Sequence, residues 1–183
     1  MWTIAKLLAT ALLGALLAIL APIEHAFFAL RLGFESAPET LSVPVEGVGV
    51  KALRDSWGAP RPGGRRHRGI DIFAPRGTPV RSTTRGVIVK TGRNRLGGNV
   101  VWVLGPGRQM HYYAHLDRFG EFGAGDVVEA RHVIGYVGNT GNARGTPPHL
   151  HYGIYSTGRE PVNPYMLLTG AAAGSFESRV ALH

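Results

Sequence analysis

The chain has 183 residues, 44% hydrophobic and 17% charged, with 26 Gly and 12 Pro. This bounds it to about one domain with a real core, excludes an intrinsically disordered chain, and disfavours a helical bundle against short strands joined by tight loops. The absence of Cys excludes disulfides, a thiol nucleophile and Cys-ligated zinc, and a formal net charge of +8 draws the chain toward polyanions: nucleic acid, anionic lipid or an acidic cell-wall polymer.

The first element is a hydrophobic helix over residues 1–30. Lys6 precedes the run LLATALLGALLAILAPI, Leu7 to Ile23, close to the roughly 20 residues of a membrane span. Cleavage needs small residues at positions −3 and −1, and neither Ala21 nor Ala26 provides them. The expectation is an uncleaved signal anchor, with secretion after cleavage as the alternative. Residues 31–47 follow as a linker with little periodicity, in which Val43 and Val45 could start an edge strand.

From Val48 onward the pattern is short β runs divided by Gly, Pro and Asn. Strands are predicted at Gly69–Phe73, Gly86–Lys90, Asn99–Leu104, Gln109–His115, Val127–Val128, Val133–Val137 and His149–Tyr155, all rich in Val, Ile, Tyr or Trp. No stretch beyond Leu30 sustains a helical period, apart from a short turn near Val50–Asp55. The fold expected for residues 48–170 is mainly β, with residues 171–183 a frayed tail. The positive charge is nearly all arginine, densest at Arg61, Arg65, Arg66 and Arg68. Aromatic residues do not interleave with that cluster, so no nucleic-acid partner is expected.

Six of the eight histidines lie between positions 67 and 151. His149 and His151, spaced i, i+2, project from one face of a strand about 6–7 Å apart. That suits one metal ligand and one neighbour. His67 and Asp71 would lie about 13 Å apart on an ideal strand, too far for one metal. Gly69 argues against a helix, so a kink or bulge there would be needed to bring them together. The simpler role for Asp71 is a salt bridge to a nearby arginine. His111, Tyr113 and His115 share a face of the strand they occupy. His111 reads as a surface residue, and His132 as an exposed residue at a turn.

The ordered set H-R-G-I-D, Y-A-H-L, G-N-T-G-N and P-H-L-H resembles the M23 family of zinc metallopeptidases, the LytM or lysostaphin-type cell-wall endopeptidases. The resemblance covers roughly Val48 to Leu168. It implies a compact antiparallel β core related to the barrel-sandwich hybrid of lipoyl carriers. It implies zinc held by His67, Asp71 and His151, with His115 and His149 as catalytic residues beside the open position. Many members carry Glu where Arg68 stands, and a shorter S-T-G turn where this chain has Asn139-Thr140-Gly141. With no Glu beside the ligands, His115 and His149 must share proton handling and oxyanion stabilisation. The implied substrate is a peptide bond in peptidoglycan cross-links, reached from the outer side of the membrane, with or without a regulatory protein. The rival is a non-catalytic LytM-type activator of a cell-wall amidase, whose mark, loss of a ligand, is absent. A lipoyl-type carrier would need a modifiable Lys between Gly125 and Gly138, and none is there.

Overall fold

The computed structural model describes Lys6 and residues 23–171. The apolar run therefore lies outside the described residues from Leu7 to Pro22, as does the tail from residue 172. Residues 23–32 are helical (α1). Among the described residues no helix is long and apolar enough to cross a membrane.

Twelve short strands follow: β1 Pro60–Arg61, β2 Arg65–Arg66, β3 Ile70–Phe73, β4 Pro79–Arg81, β5 Gly86–Asn94, β6 Gly98–Leu104, β7 Met110–Leu116, β8 Arg118–Phe119, β9 Val127–Val128, β10 Val133–Tyr136, β11 His149–Tyr155 and β12 Pro161–Val162. The main sheet runs β12-β11-β7-β6-β5-β9, and β3 pairs with the N-terminal half of β11 on the same edge as β12. A second sheet is ordered β4-β10-β8, and β1-β2 form a separate hairpin. All pairings are antiparallel.

Alternation along the strands divides core from groove. Ile70 and Ile72 of β3 and Leu150, Tyr152 and Ile154 of β11 point into the core, where they join Val101, Val103, Tyr113, Val80, Ile134 and Leu116. Burying such side chains stabilises by about 1.5–3 kcal/mol each and fixes the register, because a one-residue slip would exchange the two faces. The residues between them, Asp71, His149 and His151, are thereby left on the opposite face.

The strands expected from β-branched alternation are present, with β5 extending four residues beyond the predicted Lys90. β9 matches the strand predicted at Val127–Val128, whereas β1, β2, β4, β8 and β12 carry too little pattern to be read from sequence. Two further readings are corrected. Pro164–Thr169 is a helix (α2), capped by the Asn163 side chain accepting from the Tyr165 amide and closed by Gly170 in the left-handed region. Six residues are too few to show a period, although Asn-Pro at the start and Gly at the end are readable boundary signals.

Residues 31–47, expected to be a linker, pack along the domain. Leu32, Leu41 and Val45 are buried, the Leu41 amide donates to the Leu167 carbonyl, and Val45 forms a β-bridge with Val80. An ion pair joins Glu35 to Arg85.

Candidate active site

β3 and β11 run side by side with His151 opposite Asp71, so pairing alone brings these two together. His67 lies before β3, and the chain bends at Gly69 as expected. Glycine is required at that bend by close approach. A Cβ there would sit 2.5 Å from the Tyr152 carbonyl oxygen and 2.8–2.9 Å from the His151 ring. The bend puts His67 Nε2 3.2 Å from Asp71 Oδ1 and 2.8 Å from His151 Nδ1, which lies 3.1 Å from the same carboxylate oxygen.

The tautomer of His67 follows from its other nitrogen. Nδ1 lies 2.8 Å from the Ser56 carbonyl oxygen, which can only accept, so Nδ1 carries the proton and Nε2 presents a lone pair. Lone pairs of His67 Nε2 and Asp71 Oδ1 therefore converge on His151 Nδ1. A single proton cannot satisfy all three atoms, whereas one cation at their centre can. The separations are slightly contracted from the roughly 3.4 Å between ligands at a tetrahedral zinc with bonds near 2.1 Å. The donor set fits that metal.

The second Asp71 oxygen accepts from Arg61 Nη2 at 2.5 Å, and the Asp71 amide donates to Ser56 Oγ at 3.3 Å. The arginine salt bridge and the cluster with the histidines thus coexist, one on each carboxylate oxygen. Burial would raise the Asp71 carboxyl, but its close contacts with His151, His67 and Arg61 outweigh it and hold the group well below the usual carboxylate range. Burial pushes the His151 imidazole down, partly offset by Asp71, so it stays unprotonated at neutral pH.

His115 and His149 stand beside this cluster. His149 is 7% exposed, and its Nδ1 donates to the Pro147 carbonyl at 2.8 Å. Its free Nε2 is 4.0 Å from Asp71 Oδ1, and Phe73 covers the ring at a centroid distance of 5.1 Å. His115 is 8% exposed and donates from Nδ1 to the Thr140 carbonyl at 2.9 Å. Its ring centre is 5.1 Å from that of His149 and 5.8 Å from that of His151. Burial, reinforced by His151, brings the His115 imidazole down to about 4.

His115 does not share a face with His111 and Tyr113. Asn99 of β6 opposes Leu116 of β7 while Val101 opposes Tyr113, so β7 carries one extra residue, and His115 adopts φ 63°. This bulge turns His115 out of the core and into the groove. His111 is fully buried in the core, with Nδ1 2.8 Å from the Tyr152 hydroxyl and 3.2 Å from Thr83 Oγ1, which corrects its reading as a surface residue. His132 is exposed, stacked on Phe122, and does not line the groove that holds His67, His115, His149 and His151.

The arginine expected beside Asp71 is Arg61, whereas Ser56, Thr140 and Pro147, the groups that orient the histidines, were missed by sequence reasoning. These three act through backbone carbonyls, which leave no signal in residue type.

The five groups line a groove of about 950 Å³. The β1–β2 hairpin walls one side, and Asn94–Gly97 with Asn142–Thr146 wall the other. An aromatic shelf continues along the sheet: Tyr112 meets His151 edge-on at 5.9 Å, and Trp102 packs on Tyr112 at 4.3 Å and on Tyr155 at 5.5 Å.

A sheet-floored groove thus holds a cluster of two histidines and one aspartate able to take a metal ion. Residues 65–164 match the family model described as Peptidase family M23, and the chain belongs to that family. It is 46% identical over 112 residues to the L-Ala–D-Glu endopeptidase of Bacillus subtilis, covering 57% of this chain and 34% of that protein. It is 46% identical over 100 residues to the DD-carboxypeptidase/endopeptidase Mpg of Neisseria meningitidis, covering 55% and 22%. The catalytic domain of lysostaphin from Staphylococcus simulans superposes with a TM-score of 0.57 at 30% identity, covering 65% of this chain and 94% of that domain. The chain thus spans about a third or less of the length of these curated relatives.

Proposed function

We propose that the chain is a zinc-dependent endopeptidase that hydrolyses peptide bonds in peptidoglycan. The observation that carries this reading is the convergence of His67 Nε2, Asp71 Oδ1 and His151 Nδ1 within 2.8–3.2 Å of one another on the floor of an open groove. Family membership and the endopeptidase relatives support the same reading. The metal ligands are His67, Asp71 and His151, and the catalytic residues are His115 and His149, within a peptidase domain of residues 48–170.

When bound to two neutral imidazoles and one carboxylate, zinc supplies Lewis acidity toward water and toward an amide carbonyl. The remaining work falls to this chain's own groups. Among the described residues Asp71 is the only carboxylate lining the groove, and it is committed to the cluster. His115 and His149 each have Nδ1 tied to a carbonyl and Nε2 free, so each can accept a proton from an attacking water and return it to the leaving amine. In its protonated form either ring donates to the tetrahedral oxyanion. The depressed basicity of His115 keeps it neutral, and therefore able to accept, across physiological pH.

The glycan is not the target, because its cleavage wants a flanking pair of carboxylates, which the groove lacks. The run from Leu7 to Ile23 supports a location in the cell envelope, with the domain facing the wall. Incubating the full chain and zinc with purified peptidoglycan tests the proposal. New free amino groups should appear on shortened or unlinked stem peptides attached to intact disaccharides. Reducing sugar ends without amino groups would overturn it.

A further inference from the structure

The arginines divide into two populations. Arg76, Arg81, Arg85 and Arg118 each pair with a carboxylate: Asp117, Glu46, Glu35 and Asp117 again. None of the four lines the groove. The groove wall instead carries Arg65, Arg66 and Arg68 beside Arg61, and among the described residues only Arg61 of these has a carboxylate partner, Asp71 itself. Arg65 and Arg66 spend one N–H each on the backbone carbonyls of Pro62 and Gly58, which steadies their stems and leaves the other donors free. Across the groove, Arg93, Arg95 and Arg144 line an adjoining hollow of about 490 Å³ that meets the groove at Asn94. Among the described residues these three make no ion pair.

Both rims are therefore positive, and among the described residues no acidic side chain other than Asp71 lines the groove. Guanidinium forks with unused parallel donors match carboxylates in a bidentate manner. A charge placed here would repel a cationic peptide and gain nothing from a neutral one. The arginines flank the cluster that would act on the bond, within reach of carboxylates on the peptide being cut.

We propose that this groove selects peptide strands bearing free carboxylates within a few residues of the scissile amide, and discriminates against neutral strands such as oligoglycine bridges. The proposal rests on the peptidase reading and names the substrate class for that same site.

Binding and cleavage separate the two ideas. Binding is measured by calorimetry on the full chain carrying His115→Ala with zinc supplied. The probes are the tetrapeptide L-Ala–γ-D-Glu–L-Lys–D-Ala, the same peptide with its carboxylates converted to carboxamides, and tetraglycine amide. The acidic peptide should bind about tenfold more tightly than its amide, the sum of a few partly exposed ion pairs. That ratio should fall to about twofold with Arg65→Gln and Arg68→Gln together, and also in 0.5 M KCl. Equal affinity for acid and amide overturns the proposal, as does a ratio the arginine variants leave unchanged. Amine release from peptidoglycan by the unmodified chain is scored independently. Tenfold preference without release would sink the peptidase reading and leave the charge selection standing, whereas release without preference would do the reverse.

Discussion

Thr140 holds His115 in the groove where the β7 bulge has turned it. The Thr140 carbonyl accepts from His115 Nδ1 at 2.9 Å, while its hydroxyl accepts from the Asn99 amide at 2.9 Å and donates to the Leu116 carbonyl at 2.9 Å. One residue thus ties β6, β7 and the loop before β11 together at the bulge.

Thr140→Val removes both hydroxyl bonds and frees the carbonyl to shift. A drop of about tenfold in kcat is expected, with zinc content unchanged and most activity restored in Thr140→Ser. Turnover and metal analysis on the two variants check this. Loss of zinc in Thr140→Val would mean that the loop supports the ligands instead.

Metal content should sort the five site residues into two groups. His151→Ala is expected to lose stoichiometric zinc and activity together, whereas His115→Ala and His149→Ala keep zinc and lose turnover. Chelation should lower the melting temperature of the parent chain, because a metal bound only to the folded state stabilises it by mass action. Retention of full zinc by His151→Ala would show that the ligand assignment is wrong.

Gly69→Ala tests the bend. The added methyl meets the Tyr152 carbonyl and the His151 ring within 2.5–2.9 Å, and neither is the loose end of a flexible side chain. A loss of about 1–3 kcal/mol in stability is expected, with zinc affinity down about tenfold or more as the ring is displaced. Denaturant melts and zinc titration measure the two effects separately.

His111 sets an acid limit on the fold. Its imidazole is buried, its Nε2 has no hydrogen-bond partner, and burial brings it down to about 4 from 6.5. The unfolded chain therefore binds this proton more readily than the folded one. Its contribution is fully present above pH 6.5 and is lost as pH falls through 4, to a total of about 3 kcal/mol. His111→Gln should flatten the melting temperature between pH 6.5 and 4 relative to the parent. An unchanged slope would assign the acid sensitivity to other groups.

The sequence was most legible where one strand's own alternation decides the outcome. His149 and His151 share a face because Leu150 and Tyr152 need the core, and Gly69 had to bend because a straight strand cannot close 13 Å, by the rise per residue. It was least legible where a distant partner decides. His111 tolerates burial because Tyr152 and Thr83, 41 and 28 residues away, supply its hydrogen bonds. His115 leaves its expected face because of a bulge stabilised by Gly97 and Thr140. Arg61 reaches Asp71 from a hairpin of two-residue strands, too short to carry any period.

The path of residues 32–47 has a mechanical consequence. Among the described residues Leu32 is the first that is fully buried in the body, so a pull applied upstream is transmitted through Leu32, Leu41 and Val45 into β4. The bonds from the Arg81 amide to Pro44 and from the Glu46 amide to Pro79 would carry the load next. The domain therefore has no slack of its own beyond Leu32. If the N-terminal run is held in a membrane, the radius over which the groove can sweep is set by the residues before Leu32 alone.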